Sequence, residues 1–155
     1  MALILLGCAQ PRTKVEQAGE ADFARYHKLG VAPFSDPRGQ GRLMADSVNA
    51  GLRKLLYEPA DPVALMRILA NHKPNQDSGM SLEALELIRL QTGADAIVLG
   101  RMTPDWSALL LTVVETELGE PVLHAVARPR NKKQAAFASA DEVVQETLRI
   151  LAGRR

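Results

Sequence analysis

Two rhythms of apolar and polar positions run along this chain. Lys28-Leu29-Gly30-Val31-Ala32-Pro33-Phe34 is a compact apolar run closed by the turn-forming cluster Ser35-Asp36-Pro37-Arg38-Gly39, which reads as a short buried strand. Pro33, late in that run, implies an unpaired amide side there. From about Gln40 to Leu56, Leu43, Met44, Val48, Leu52, Leu55 and Leu56 recur at helical spacing, with Asp46, Asn49, Arg53 and Lys54 on the other side. That pattern predicts an amphipathic helix packed on a sheet. A brief strand is expected at Leu56-Tyr57-Glu58. Asp61-Pro62 then opens a second helix, with Asp61 as N-cap and Pro62 at the first helical position, where a missing amide costs nothing.

Val63, Leu65, Met66 and Leu69 give that helix its buried side, and Lys73-Pro74 ends it before the loop Asn75-Gln76-Asp77-Ser78-Gly79. Ser81 caps a third helix carrying Leu82, Leu85, Ile88 and Leu90, stopped by Gly93 in the left-handed backbone that helix C-termini favour. Ala94 to Met102 reads as a strand apolar on both faces, which places it centrally in a sheet covered by helices on both sides or at a packed interface. Trp106 to Glu117 predicts a long strand. Gly119-Glu120-Pro121 turns it into a second arm, Val122 to Ala127, forming an antiparallel hairpin. A basic loop, Arg128-Pro129-Arg130-Asn131-Lys132-Lys133, leads to a last helix, where Ser139 and Glu142 form a capping box. Its apolar stripe is Val143, Val144, Thr147, Leu148 and Leu151. The order predicts one α/β domain with a mixed sheet, parallel at the helical crossovers and antiparallel at the hairpin.

Length agrees with a single domain: 155 residues suffice for one substantial core. The net charge of +1 gives no overall field that would select nucleic acid or an anionic membrane, and aromatics at 4% are too sparse for base-stacking platforms. One cysteine permits neither an internal disulfide nor a thiolate zinc site.

That cysteine lies in Leu5-Leu6-Gly7-Cys8, which resembles the lipobox of bacterial lipoproteins. There a peptidase cuts before the cysteine and the thiol is acylated. The run Ala2–Leu6 is too short to span a bilayer and lacks a basic leader, and a start codon further upstream would supply both parts. Residues 1–7 are therefore read as a signal-peptide remnant, residues 8–22 as a lipidated flexible tether and residues 23–155 as the domain. Ala9, rather than an acidic residue, follows the cysteine. By resemblance to Gram-negative sorting, this implies the outer membrane, facing the periplasm.

Gly30-Val31-Ala32-Pro33-Phe34-Ser35-Asp36, the helix from Gly41 to Leu56, Gly93-Ala94-Asp95 with the strand after it, and the acidic hairpin around Glu115-Thr116-Glu117-Leu118-Gly119-Glu120 together resemble one family. It is the TolB N-terminal/CsgG-like domains, whose members include LpoB and PelC. The resemblance covers residues 28–128. It implies a three-layer fold with helices on a mixed sheet of four to five strands. It also implies a non-catalytic binding or assembly role in the envelope: polymer or protein export, activation of peptidoglycan synthesis, or a ring-forming scaffold. Partners would be envelope proteins or export machinery, with homo-oligomerisation as a further expectation. The chain lacks the long insertions that build the curli pore.

Candidate chemistry is thin. His27, His72 and His124 are scattered without metal-ligand spacing, and no phosphate-binding loop is present, so no cofactor and no metal are expected. Gly39-Gln40-Gly41 is either an anion cradle or, more simply, a turn. Glu115 and Glu117 would share one strand face, and Asp95 reads as a structural cap. The candidate interface comprises Trp106, open between core and surface, and the cations Arg128, Arg130, Lys132 and Lys133. Two other readings stand beside the binding module: an envelope hydrolase using scattered carboxylates, and a soluble cytoplasmic domain with an accidental cysteine.

Overall fold

The structure, a computed structural model, describes residues 12–17, 23–74 and 79–154. Its elements in chain order are β1 (Thr13–Gln17), a 3-10 turn (Phe23–Arg25), β2 (Lys28–Val31), α1 (Gly41–Gly51), a second 3-10 turn (Leu52–Leu55) and β3 (Glu58–Pro59). There follow α2 (Pro62–Asn71), α3 (Leu82–Thr92), β4 (Ala96–Met102), β5 (Leu109–Glu115), β6 (Pro121–Ala127) and α4 (Ala140–Ala152). The strands form a six-stranded sheet ordered β1-β6-β5-β4-β2-β3. Pairing is parallel between β2 and β3 and between β2 and β4, and antiparallel elsewhere. The expected mixed α/β sheet is present, with more strands than the four to five expected.

The additional strand is β1, which replaces part of the tether assigned to residues 8–22. Thr13-Lys14-Val15-Glu16-Gln17 pairs antiparallel with β6. As an edge strand covered on one face by α4, it needs only one apolar residue, Val15, against the core, so its sequence lacks a strong pattern. The opposite edge, β3, is two residues long and ends in Pro59, which discourages pairing with further strands. Cys8 and the signal remnant lie outside the described residues, as does Ser78.

Two apolar layers sandwich the sheet. Helices α1 and α4 cover one face through Met44, Val48, Val143 and Leu151, while α2 and α3 cover part of the other through Leu65, Ile68, Leu85 and Ile88. Several apolar residues assigned to buried helix faces are instead exposed: Leu43, Leu56, Val63, Leu82 and Leu90. The stripe of α1 runs Gly41, Met44, Ala45, Val48, so Leu43 falls one position off it. Leu56 ends the following 3-10 turn at φ 66° and points outward. Trp106 is not in a strand; β5 begins at Leu109.

The Phe34 and Gly-Ala-Asp motifs have direct structural meanings. Phe34 is buried in a slot walled by two glycines. A Cβ on Gly100 would lie 2.6 Å from its ring, and one on Gly41 would lie 1.8 Å from the Phe34 carbonyl oxygen. Gly93 caps α3 at φ 69°. Asp95 Oδ2 accepts the backbone N–H groups of His27 and Lys28, both at 2.8 Å, which ties the start of β2 to the start of β4. The expectation that Asp95 is a structural cap holds.

Candidate functional site

One end of the sheet gathers the β2–α1 turn, the β4–β5 loop, the start of β1 and the segment between β6 and α4. Trp106 organises it. The residue takes φ 60°, a left-handed backbone uncommon outside glycine, and its ring is 1% exposed. Nε1 donates to Asp36 Oδ1 at 2.7 Å, and the Arg38 guanidinium stacks 4.2 Å from the ring centroid. The Trp106 carbonyl accepts Phe137 N–H at 2.9 Å. The β2–α1 turn thus meets the Trp106 side chain and the segment before α4 meets its backbone. Trp106 is therefore a buried hub and not an exposed interface anchor, because an indole held on both its polar and its apolar side has nothing left to offer a partner.

Asp36 does more than receive the indole. Its carboxylate also accepts the N–H groups of Arg38 at 3.1 Å and Gln40 at 2.8 Å. The protein's own carboxylate thus takes an amide that Gly39-Gln40-Gly41 would have offered an external anion, so this segment is the turn and not the anion cradle. Beside it, Asp105 is held down to about 2 by the Ser107 hydroxyl and backbone N–H and by the Thr103 hydroxyl, which keeps the loop fastened while fully solvated.

The basic loop lies at this same end. Arg128, Arg130, Lys132 and Lys133 are all exposed, and among the described residues none of them is in an ion pair. Sequence reasoning missed a fifth cation, Arg12. Its guanidinium donates to the carbonyls of Pro129 (3.4 Å) and Lys132 (3.0 Å), while its own carbonyl accepts Arg128 N–H at 3.1 Å. It was hidden because its place depends on β1 pairing with β6. Further along α4, Glu146 is buried. Burial pushes its carboxyl up, but hydrogen bonds from Arg149 and Thr13 and the charges of Arg149 and Arg130 outweigh that, leaving it below its usual range.

The second notable surface is the half of the sheet that α2 and α3 leave uncovered. Leu99 pairs with Thr112 and Arg101 with Leu110, and these continue to His124 and Val126 on β6. Directly opposed residues share a face, so these six form one patch. All of them but Val126 line a groove of 490 Å³ that also takes in Pro33 and Pro74. A larger groove of 1030 Å³ runs between α1 and α4, lined by Lys54, Arg130, Glu146 and Arg149 among others.

Among the described residues, no three His, Cys, Asp or Glu side chains converge as metal ligands. Glu115 accepts the Leu118 N–H across the hairpin turn, while Glu117 and Glu120 are exposed beyond the strand. The two glutamates expected on one strand face are thus separated by the turn. His124 Nδ1 lies 3.1 Å from the Thr112 hydroxyl. Among the described residues, no helix is long and apolar enough to cross a membrane.

Comparison with solved structures follows from this architecture. PelC from Paraburkholderia phytofirmans, crystallised as a dodecamer, superposes at TM-score 0.54 with 14% identity over 92% of this chain and 97% of that one. A second crystal form of the same dodecamer gives 0.51 at 14% identity, over 92% and 96% of the two chains. The fold is similar to that of PelC. Lipoprotein GNA1162 from Neisseria meningitidis gives 0.49 at 16% identity (81% and 96% covered), and E. coli LpoB gives 0.46 at 13% identity (66% and 58% covered). No protein-family model matches the sequence, and no curated protein matches it. At these identities the likeness to PelC speaks for the fold and leaves the role to be argued from the surfaces.

Proposed function

We propose that the chain is a lipid-anchored protein of the bacterial cell envelope that works through its surfaces, as a binding and assembly module, and not by catalysis. The observation that carries this reading is the fold shared with PelC over nearly the whole of both chains. Two features support it: the Leu5-Leu6-Gly7-Cys8 sequence, and a sheet face that, among the described residues, is left half uncovered at Leu99, Leu110, Thr112 and Val126. A sheet face of that kind buries its apolar residues when a partner covers it. Among the described residues, Asp141, Glu142 and Glu146 line the α1–α4 groove from a single helix, with Glu146 paired to Arg149, an arrangement that favours binding over an acid and base set facing each other across a cleft.

The partner we propose for the open sheet face is a second copy of this chain, since PelC is a dodecamer. Acylation is tested by labelled palmitate in cells producing the protein from its native locus. Incorporation that disappears in Cys8→Ser, together with recovery in the outer-membrane fraction, is the expected result. Recovery in the aqueous fraction with an unmodified thiol would overturn the anchor. Light scattering on purified Cys8→Ser protein reads the assembly: a mass of several subunits is expected, and a monomer at all concentrations refutes it.

A further inference from the structure

We propose that the basic end of the sheet is a docking surface for anionic lipid headgroups, and that it fixes how the domain stands on the membrane. The inference rests on the anchoring of Cys8 proposed above and adds an orientation to it. Its structural basis is the place where the chain enters the fold. Arg12 is bonded to the loop of Arg128–Lys133 by its own carbonyl and by its guanidinium. Cys8 stands four positions before Arg12, a stretch that reaches at most about 14 Å when fully extended. An acylated Cys8 therefore holds this end, and no other, within a short reach of the bilayer surface.

Charge points the same way. Arg12, Arg128, Arg130, Lys132 and Lys133 make up five of the chain's 19 Lys and Arg, against 18 acids in total. Asp36, Asp105, Asp141 and Glu142 lie at or beside the same end, so the charge asymmetry belongs to Arg12 and the Arg128–Lys133 loop and not to the molecule as a whole. Asp141 and Glu142 stand at the side of the patch and keep their charges, Glu142 accepting hydrogen bonds from the Gln134 side chain and the Ala138 N–H. Near an anionic surface the cluster of Arg12 and the Arg128–Lys133 cations is the part of the molecule drawn inward. The patch is also held in shape. Arg12 pins the loop at one side, and the Phe137–Trp106 bond pins the segment after it, so little ordering is needed on contact.

The test uses the full chain carrying Cys8→Ser, so that no lipid confounds the reading, and sedimentation with vesicles. Partition onto phosphatidylglycerol/phosphatidylcholine vesicles is expected, with little onto pure phosphatidylcholine, and it should weaken as salt rises. Lys132→Ala with Lys133→Ala should lower partition by roughly 25-fold, about fivefold per cation. Arg67→Ala with Arg89→Ala, exposed cations on α2 and α3, should change it little. Equal binding to neutral vesicles, no binding, or an equal loss in the control pair overturns the proposal. So does tighter binding to soluble alginate than to vesicles at matched charge, which would make the occupant an acidic polymer. Mass analysis of native Cys8 reads the anchor separately. An acylated protein without vesicle selectivity refutes the docking surface alone, and selective binding with a free native thiol refutes the anchor alone.

Discussion

Removing the Asp36 carboxylate should loosen the whole basic end. In Asp36→Ala the Trp106 indole N–H, held at 2.7 Å, becomes a buried donor without a partner, since the ring is only 1% exposed. Hydrogen bonds to a charged acceptor contribute about 1.5–3 kcal/mol. The N–H groups of Arg38 and Gln40 lose their acceptor as well, but they sit near solvent, and loss of such a cap costs about 0.5–2 kcal/mol. The sum is about 3 kcal/mol, corresponding to a fall in Tm of about 6–12 °C for a domain of this size. Asp36→Asn keeps one carbonyl oxygen for the indole and should lose about 1 kcal/mol. Urea unfolding followed by circular dichroism measures all three proteins, and the single tryptophan reports the local environment by fluorescence. A double-mutant cycle with Trp106→Phe isolates the pair, with a coupling of at least about 1 kcal/mol expected. Asp36→Ala within about 0.5 kcal/mol of wild type, with unchanged Trp106 emission, would show that Trp106 is held by packing alone and that the hub is misassigned.

Gly100→Ala should destabilise by about 1–3 kcal/mol because its Cβ meets the Phe34 ring at 2.6 Å, and Phe34→Leu in the same chain should recover part of the loss; chemical denaturation measures both. Glu146 has a lowered carboxyl pKa, so the stability it contributes is present above the unfolded value of about 4.3 and is lost as pH falls through the folded one. Glu146→Gln should flatten that acid limb of the stability profile, and an unchanged limb would deny the Arg149 and Thr13 pairing. Leu110→Glu, on the open half of the sheet, should abolish self-association in light scattering while leaving the fold and vesicle partition intact; an unchanged mass would remove this face from the assembly.

The parts of the fold that were legible in the sequence are those in which one residue has one task. Asp61, Ser81 and Ser139 accept the N–H groups of their helices as their spacing predicts, and Gly93 stops α3 in the conformation that favours glycine. Misread elements share a different property, in that neighbours distant in sequence decide them. β1 is polar because α4 covers one of its faces and solvent the other. Trp106 opens no strand because Asp36 and Phe137 hold it in a left-handed turn, and nothing local encodes a bond across 70 residues. At the site, the basic run Arg128–Lys133 was visible as composition. Its union with Arg12 was not, since that depends on the register Thr13 with Ala127.

Orientation and assembly constrain one another in this fold. The basic patch lies at an end of the strands, whereas the uncovered half-face of Leu99, Leu110, Thr112 and Val126 lies along their sides. An end and a side of one sheet are perpendicular by construction. If the end rests on lipid, the strands stand upright and the open face looks parallel to the membrane plane, towards whatever else is anchored there. Neighbours tethered in the same leaflet meet that face at a fixed height, with rotation about the membrane normal as their main freedom. Confinement of this kind raises effective concentration without any new contact, so a face that joins copies in solution joins them at lower abundance on the membrane. Closed rings follow when the rotation between successive copies divides a full turn. On this geometry the cations and the open sheet have separate tasks, height and orientation for the first and lateral association for the second, and damage to either should leave the other measurable.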